Sequence, residues 1–401
     1  MITSEERATM SEQDQPVIEP FGFLNPNPPA PEPAPNPDHT WEFDGGWAWV
    51  YLANPKFGLA RPVILSDGFN SGPSSLDGLY DGLERGDYAF VSELRDRGHD
   101  LVLVGYKERS ASILDNALFV QQVIRRAIAE RVGEARLTVG GFSMGGLVTR
   151  YALAALERQE FDHETAVYVS YDSPHRGAWV PIALQNLAHF LTSVPALGDQ
   201  INSDASRQLL WRHVESVDGE VRPDPLRGAF LEALEAVGNW PRVPRLIGVA
   251  NGVGTGAGNG VPAGESALTV ETGWFTDTDL RTQAAGTVKV ARLKGLFQDR
   301  EITTENLPEL DGASGGTLDT FGIAGDKLKA TGKVTIAHRT VNFVPTGSAV
   351  AIADPDHLGP VDELDPATSE LDEFLVSSEG NTAHTAITRE LSEWIFDRLP
   401  R

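Results

Sequence analysis

The sequence predicts an α/β protein with a mostly parallel sheet that is covered by helices on both faces. Short apolar segments alternate with longer segments that carry apolar residues at helical spacing. Strands that alternate with helices of this length need crossover connections, and such connections produce parallel sheets. The strands are nearly continuous in their apolar character, which is typical of a sheet with both faces buried.

The alternation is clearest between residues 47 and 170 and returns near the C-terminus. Residues 113–132 carry apolar side chains three and four positions apart, which is typical of a helix with one buried face. The same pattern predicts a final helix at residues 385–399. The strands that we expect are residues 47–52, 61–65, 100–104, 137–139, 166–170 and 245–250. The remaining helices that we expect are residues 88–97 and 146–158.

The start of the chain differs from the rest. Residues 1–40 are acidic and then rich in proline, a composition that favours extended chain and cannot build a core. We expect a proline-rich tail that can lie across the domain surface, with Phe21, Phe23 and Leu24 as its anchors. The folded domain is expected to cover residues 41–400.

Two segments of that domain have their own patterns. Residues 178–240 contain leucine, phenylalanine and tryptophan with little strand character, which predicts a helical cap or lid. Residues 262–335 include stretches that alternate with period two, such as residues 287–293, and predict a β-rich insertion made of hairpins. Both are expected to be additions to the central sheet.

Composition excludes several functions. The 401 residues include 57 acidic and 33 basic side chains, which gives a formal net charge of −24. Such a surface repels phosphate groups, so we expect no nucleic-acid partner, and solubility alone also explains the charge. The absence of cysteine excludes disulfides, thiolate metal sites and a cysteine nucleophile. The histidines and carboxylates have no metal-ligand spacing, so no metal is expected.

The hydropathy pattern predicts a cytoplasmic protein. The N-terminal residues lack the apolar run behind a basic start that a secretory signal requires. No uninterrupted apolar stretch is long enough to span a bilayer. We therefore expect no integral membrane association; these features do not bear on the oligomeric state.

Ser143 is the strongest candidate for a reactive residue. Residues 141–145 read GFSMG and connect a predicted strand to a predicted helix. In a sharp turn of this kind the serine has strained backbone angles, and its hydroxyl projects from the top of the sheet. The pattern alone also fits a simple packing turn, but its position between strand and helix favours a nucleophile.

A nucleophile of this kind needs hydrogen-bond donors for the oxyanion that forms during the reaction. Met144 follows the serine at the start of a predicted helix, where its N–H can donate to an anion. A second donor is expected in the loop after residues 61–65, and Phe69 is the candidate because Gly68 permits the turn before it. An ordinary strand-to-helix loop is the alternative.

The base is expected downstream of the serine, before the last helix. The chain has nine histidines, and His384 lies directly before the predicted final helix. His384 is therefore the candidate base, and His357 is the second choice. A histidine that only caps the helix is the alternative interpretation of His384.

The acid should lie between the serine and the base in the chain. Asp172 follows the strand after the nucleophile helix, so we expect its carboxyl group at the same edge of the sheet as Ser143. One strand later, where an acid is also usual, the chain has Asn251, whose neutral amide would stabilise an imidazolium less well. Asp354 and Asp356 stay open as alternatives, and a turn-capping role also fits Asp172.

Together these motifs resemble the α/β-hydrolase superfamily, in its bacterial lipase and esterase branch. The motifs that carry the resemblance are residues 63–69 (VILSDGF), 141–147 (GFSMGGL), 172–178 (DSPHRGA) and 381–384 (NTAH). The resemblance covers about residues 45–255 and 335–400. Many lipases have histidine and glycine in the oxyanion loop, where this chain has Asp67 and Gly68.

The resemblance implies a fold and a reaction. It implies an α/β-hydrolase fold and the hydrolysis of carboxylic esters through an acyl-enzyme, without metal or organic cofactor. Ser143, His384 and Asp172 would form the catalytic triad, and the partner would be a small or lipid-like ester substrate. An acyltransferase or a thioesterase would use the same residues. A non-catalytic interaction protein with this fold is the alternative from another class.

Overall fold

The computed structural model describes residues 31–272, 277–295 and 298–400. The strands within these ranges are β1 (His39–Phe43), β2 (Gly46–Tyr51), β3 (Pro62–Ser66), β4 (Asp100–Tyr106), β5 (Leu137–Phe142), β6 (Thr165–Tyr171), β7 (Arg245–Val253), β8 (Ser266–Thr272), β9 (Thr278–Arg281), β10 (Thr287–Lys294), β11 (Asp299–Glu305), β12 (Gly315–Leu318), β13 (Gly332–Ile336), β14 (Val341–Pro345) and β15 (Glu373–Ser377).

The α-helices of the described ranges connect and cover these strands. They are α1 (Leu76–Glu84), α2 (Phe90–Asp96), α3 (Ile113–Glu130), α4 (Met144–Arg158), α5 (Ile182–Phe190), α6 (Pro195–Ile201), α7 (Asp204–Leu209), α8 (Pro225–Ala236), α9 (Thr320–Leu328), α10 (Thr346–Ala349) and α11 (Arg389–Phe396). None of these helices combines the length and the apolar character that crossing a membrane requires.

The largest sheet has eight strands in the order β1-β2-β4-β3-β5-β6-β7-β15. The strands from β4 to β15 are parallel to their neighbours, while β1 and β2 form a hairpin that joins β4 in antiparallel orientation. The predicted α/β class with a mostly parallel sheet is confirmed. Since β3, β5 and β6 are adjacent and parallel, the loops at their C-terminal ends meet at one edge of the sheet.

Helices cover both faces of this sheet. Side chains of β3 alternate between the faces, because Val63 and Leu65 belong to the cluster beneath α1, α2 and α11, while Ile64 belongs to the cluster beneath α3 and α4. All three side chains are buried. Burying an aliphatic side chain of this size contributes roughly 1.5–3 kcal/mol, so the continuous apolar strands hold the layers together.

Residues 178–240 and 262–335 pack against each other. The first segment contains α5, α6, α7 and α8, and the second contains a five-stranded antiparallel sheet in the order β11-β10-β9-β8-β13. Leu187 of α5 and Leu197 of α6 share one buried apolar cluster with Leu280 and Leu293 of that sheet. The two segments therefore stabilise each other through a common core.

The small strand β12 lies within residues 262–335 but does not join the five-stranded sheet. It pairs with β14 in a separate two-stranded sheet. Its partner residues run from Gly315, opposite Pro345, to Leu318, opposite Val341. This sheet carries part of the predicted insertion to the edge where the candidate catalytic residues lie.

The N-terminal segment of the described chain crosses the outside of the domain. Tyr51 donates its phenol hydrogen to the Pro35 carbonyl at 2.8 Å, and the Ala34 N–H donates to Asp77 of α1 at 2.8 Å. The first strand begins at His39, slightly before the expected start of the domain. The expected anchors Phe21, Phe23 and Leu24 lie outside the described residues.

The last helix is shorter than the sequence predicts. It begins at Arg389, because the Thr388 hydroxyl accepts the Leu391 N–H at 3.3 Å and caps the helix there. Thr385 has a φ of 59°, which an α-helix does not permit. His384 therefore precedes the last helix, but a loop separates it from α11, whereas the sequence predicts it directly before the helix.

Candidate active site

Ser143 lies in the turn between β5 and α4. Its backbone has φ 52° and ψ −125°, a conformation that residues with a side chain rarely adopt and that costs roughly 1–3 kcal/mol. The Ser143 N–H donates to the Tyr171 carbonyl at 3.0 Å, which ties the turn to β6. Such strain persists only where the surrounding structure imposes it, and here both flanking elements are buried.

The glycines around Ser143 are required by close packing. A Cβ atom on Gly141 would overlap the Gly145 backbone, and a Cβ atom on Gly145 would overlap the Ser66 carbonyl oxygen. The absence of side chains therefore allows β5, α4 and the end of β3 to approach one another. This is the packing that the GFSMG pattern predicts around a serine raised on a sharp turn.

His384 and Asp172 are joined by a hydrogen bond. His384 Nδ1 lies 2.7 Å from Asp172 Oδ2, and the Asp172 side chain is completely buried. An ionised carboxylate only accepts hydrogen bonds, so the proton of the neutral imidazole resides on Nδ1. The other ring nitrogen, Nε2, is buried and has no hydrogen-bond partner in the described part of the chain. It is therefore free to accept a proton.

Asp172 is held in place from several sides. It follows β6 with a φ of 49°, and its own N–H donates to the Val249 carbonyl at 2.8 Å. Its Oδ1 atom accepts the Asn251 N–H at 3.0 Å. A Cβ atom on Gly316 would overlap Asp172 Oδ2, so β12 passes directly against the carboxylate. These contacts fix the carboxylate in the orientation in which it meets His384.

The Asn251 side chain supports the loop around His384 and makes no hydrogen bond to the imidazole. Asn251 Nδ2 donates to Thr382 Oγ1 and to the Ala386 carbonyl, both at 2.9 Å. The Thr382 N–H donates back to the Asn251 carbonyl at 2.9 Å. Asn251 therefore connects the two sides of the loop, and its position at the end of β7 serves a different purpose from that of an acid.

The sequence did not point to the contacts that β12 and β14 make with His384. The His384 N–H donates to the Thr317 carbonyl at 2.8 Å. The Phe343 ring packs edge-on against the imidazole, with 4.8 Å between the ring centroids. The glycine pair Gly315 and Gly316 is the one local signal of this close approach, because a Cβ atom on either residue would overlap a neighbour.

The loop after β3 borders Ser143. A Cβ atom on Gly68 would lie 3.2 Å from Ser143 Cβ and 3.7 Å from Ser143 Oγ. Among the described backbone hydrogen bonds of this loop and of the serine turn, none uses the N–H of Phe69 or Met144. Both amides can therefore donate to a ligand, as an oxyanion hole requires.

Asp67 anchors this loop from within. Its carboxylate accepts hydrogen bonds from Ser74 Oγ at 2.6 Å and from the Gly68 N–H at 2.7 Å, and Arg109 lies 3.9 Å away. Burial raises the pKa of Asp67, and the positive charge of Arg109 opposes this shift. Because both oxygens are engaged, Asp67 holds the loop in shape beside Ser143.

Ser143 and His384 line the same cleft, which has a volume of about 580 Å³. Small-molecule sites occupy roughly 300–1,000 Å³, so this cleft can hold one. Pro31 of the N-terminal segment also lies at the cleft, as do Gly68 and Phe69 of the loop after β3. The other apolar side chains on its walls are Leu79, Leu83, Phe142, Leu318, Phe343, Ala383 and Ile387.

The other candidates from the sequence lie elsewhere. Asp356 and His357 line a separate cavity, and Asp354 is exposed. The His357 Nε2 atom lies 3.2 Å from the Pro360 carbonyl oxygen. The structure thus brings Asp172, and neither Asp354 nor Asp356, into hydrogen-bond contact with His384.

Comparisons with known proteins find similar folds only. No protein-family model matches the chain, and no curated protein does. Over 53% of this chain, it is similar to the mature form of a Bacillus licheniformis lipase (15% identity, TM-score 0.35, 75% of that chain). It is also similar to a Pyrobaculum calidifontis esterase, with 12% identity, a TM-score of 0.34 and 65% of that chain covered. A third similar structure is Est1E from Butyrivibrio proteoclasticus, with 14% identity, a TM-score of 0.32 and 76% of that chain covered. Scores this low assign no function to the chain.

Proposed function

We propose that this protein is a serine hydrolase that cleaves carboxylic esters through an acyl-enzyme intermediate. The observation that carries the proposal is the 2.7 Å contact between His384 Nδ1 and Asp172 Oδ2. The other ring nitrogen, Nε2, has no hydrogen-bond partner in the described part of the chain. His384 and Ser143 line the same cleft. A neutral imidazole held in this tautomer is what a serine hydroxyl needs in order to lose its proton.

The proposed reaction has two stages. Ser143 Oγ attacks the ester carbonyl while His384 Nε2 takes the hydroxyl proton, and the N–H groups of Phe69 and Met144 stabilise the oxyanion. His384 then gives the proton to the leaving alcohol as the ester C–O bond breaks, and the acyl group stays on Ser143. Water attacks the acyl-enzyme with His384 as base, which releases the carboxylic acid and restores the serine. Asp172 stabilises the imidazolium in both stages.

The cleft favours neutral esters with an apolar acyl group. Leu318, Phe343 and Ile387 supply apolar surface on the walls next to His384. Asp67 and Arg109 both line the cleft, so a buried carboxyl group and a guanidinium group offset each other there, while the whole chain carries a formal net charge of −24. An anionic substrate would be repelled on approach, so we expect uncharged or cationic esters to react faster.

A fluorophosphonate reagent tests the nucleophile, because it modifies activated serines covalently. We expect one equivalent of label on the wild type and none on Ser143→Ala. Ser75→Ala provides the control, since Ser75 lines the same cleft but its hydroxyl accepts the Gly78 N–H at 3.2 Å as the cap of α1. An unlabelled wild type, or a label that persists in Ser143→Ala, would contradict the mechanism.

The reaction class is tested with nitrophenyl esters of increasing acyl length. We expect release of nitrophenol together with an equal amount of free carboxylic acid, and loss of both in Ser143→Ala. Addition of alcohols or amines separates hydrolysis from acyl transfer, because a transferase would convert the acyl group to a new ester or amide in preference to the acid. Thioesters of the same acyl groups test the thioesterase alternative.

A further inference from the structure

A second cavity lies apart from the Ser143 cleft. It has a volume of about 300 Å³, and its lining residues are all different from those of the cleft. Its walls come from residues 176–179, from Trp211 and Arg212, from residues 306–310, from Pro345 and Ser348, and from the loop that follows α10. Cavities between packed segments of a chain are common sites for small molecules, and this volume is at the lower end of their range.

Trp211 supplies the accessible aromatic surface of this cavity, and the buried Trp179 ring packs behind it. The rings of Trp179 and Trp211 have centroids 6.3 Å apart and an interplanar angle of 58°. Trp179 is buried, and its indole N–H donates to Asp311 Oδ1 at 2.6 Å, so the ring is held in one orientation. Leu358 adds accessible aliphatic surface, whereas Leu310 is buried. A flat apolar body could therefore pack against Trp211 and Leu358.

Arg212 contributes a cation to the same cavity. Its guanidinium carbon lies 3.6 Å from the centroid of the Trp211 ring, and Nη1 donates to the Trp211 carbonyl at 3.0 Å. Arg212 forms no ion pair with a residue of the described ranges, although the side chain is half-buried. Burial lowers the pKa of Arg212, and Asp356 opposes this shift. A half-buried guanidinium with donors to spare is a binding group for an anion.

The other charged groups at the cavity limit the charge of that anion. The Arg176 guanidinium is already paired with Glu370 and donates to the Ile352 carbonyl at 2.6 Å. Asp356, at the exposed rim, adds a negative charge. Arg212 can offset a single negative charge on a ligand, because in the described part of the chain it is the arginine of this cavity without an ion pair. A second negative charge would have no further cation to offset it.

We propose that this cavity binds a small aromatic monocarboxylate. The ring would pack against Trp211 and Leu358, and the carboxylate would accept two N–H donors of Arg212. None of the proposed catalytic groups is needed for this binding. The site is therefore independent of whether Ser143 acts as a nucleophile.

The charge requirement is tested by calorimetric titration of the full chain with naphthoate and with the neutral analogue naphthalenemethanol. We expect Arg212→Gln to weaken naphthoate binding by about tenfold or more, the size of one charge-assisted hydrogen bond. Naphthalenemethanol should bind both proteins within about twofold, which also verifies that the cavity is intact. Arg222→Gln is the matched control, because Arg222 is an exposed arginine of the same segment that is absent from the cavity wall.

The location is tested by filling each site with the same side chain. Leu358→Trp fills the cavity and should abolish naphthoate binding. Leu318→Trp fills the Ser143 cleft instead, and its affinity for naphthoate should stay within about twofold of the wild type. Loss of binding in Leu318→Trp but not in Leu358→Trp would assign the ligand to the cleft and overturn the proposal. So would an absence of naphthoate binding to the wild type, or equal binding to wild type and Arg212→Gln.

Discussion

The His384 imidazole and the Asp172 carboxylate are separated by 212 residues in the chain and by 2.7 Å between Nδ1 and Oδ2. Asp172 arrives at the end of β6, and His384 arrives on the loop before α11. The same carboxylate accepts the Asn251 N–H with its other oxygen, so both oxygens are engaged. A buried carboxylate held in this way selects the imidazole tautomer and stabilises its charged form.

We expect Asp172→Asn to lower the rate of ester hydrolysis by about 10⁴-fold, because the amide would favour the wrong imidazole tautomer. The rate of fluorophosphonate labelling should fall with it. Steady-state kinetics on a nitrophenyl ester measures the effect, and Asp354→Asn, an exposed aspartate, should react like the wild type. A loss below about tenfold, roughly 1.4 kcal/mol, would exclude Asp172 as the supporting acid.

Asn251→Asp tests whether β7 could supply the acid instead. The substituted side chain cannot donate to the Ala386 carbonyl, which would leave a buried charged group beside an acceptor. We expect the free energy of unfolding to fall by about 1–3 kcal/mol and hydrolysis to fall as the His384 loop loosens. Urea unfolding and ester kinetics measure the two effects. Asn54→Asp is the control, since Asn54 is exposed and its side chain accepts the Lys56 N–H.

The same substitution also tests the position of the acid. If an acid at position 251 could serve His384, the double variant Asp172→Asn with Asn251→Asp would regain activity over Asp172→Asn. We expect no recovery, because the Asn251 side chain forms its hydrogen bonds with Thr382 and Ala386 and none with the imidazole.

Local pattern was sufficient to predict the central sheet. Val63 and Leu65 belong to one buried cluster and Ile64 to the other, so a run of apolar residues in β3 is explained by burial on both faces. The turn at Ser143 is equally local, because Gly141 and Gly145 are required by contacts within a few residues and one adjacent strand. From the order of elements along the chain alone, Asp172 and His384 are expected at the edge of the sheet that carries Ser143.

Local sequence patterns do not predict which strands pair when the partners are separated along the chain. The strand β12 has only four residues, two of them glycine, and its pairing with β14 depends on a partner far along the chain. Gly316 contacts Asp172, and Thr317 contacts His384. No periodic pattern of apolar residues in the sequence indicates either contact. The shared core of residues 178–240 and 262–335 was missed for the same reason, because each segment has a pattern that is complete by itself.

We expect Gly316→Ala to impair hydrolysis by displacing the Asp172 carboxylate, since the added Cβ atom would overlap Oδ2. A loss of at least about 100-fold in kcat is expected, because small misplacements of catalytic groups have effects of this size. Gly228→Ala is the control: it lies in α8 with no atom within 4 Å of the new Cβ, and should stabilise the protein by up to about 1 kcal/mol. Unchanged kcat in Gly316→Ala would show that Asp172 can move without consequence.

We expect the buried carboxyl group of Asp311 to make a pH-dependent contribution to the stability of the folded protein. This carboxyl group accepts the Trp179 indole N–H and the Gln283 N–H, both at 2.6 Å. Burial is the main cause that raises the pKa of Asp311 from 3.8 to about 6, so the folded state binds this proton more tightly than the unfolded state. The resulting stabilisation is complete below about pH 4 and is lost as the pH rises through about 6.

We therefore expect the stability of the wild type relative to Asp311→Asn to fall by up to about 3 kcal/mol between pH 4 and pH 6. Burial lowers the pKa of His99 to about 4, which has the opposite effect in this interval, but both proteins contain His99 and its contribution cancels. Urea unfolding at several pH values measures the difference, with Asp354→Asn as the exposed control. A difference between wild type and Asp311→Asn that does not change with pH would mean that the Asp311 carboxyl group is ionised in the folded protein throughout this interval.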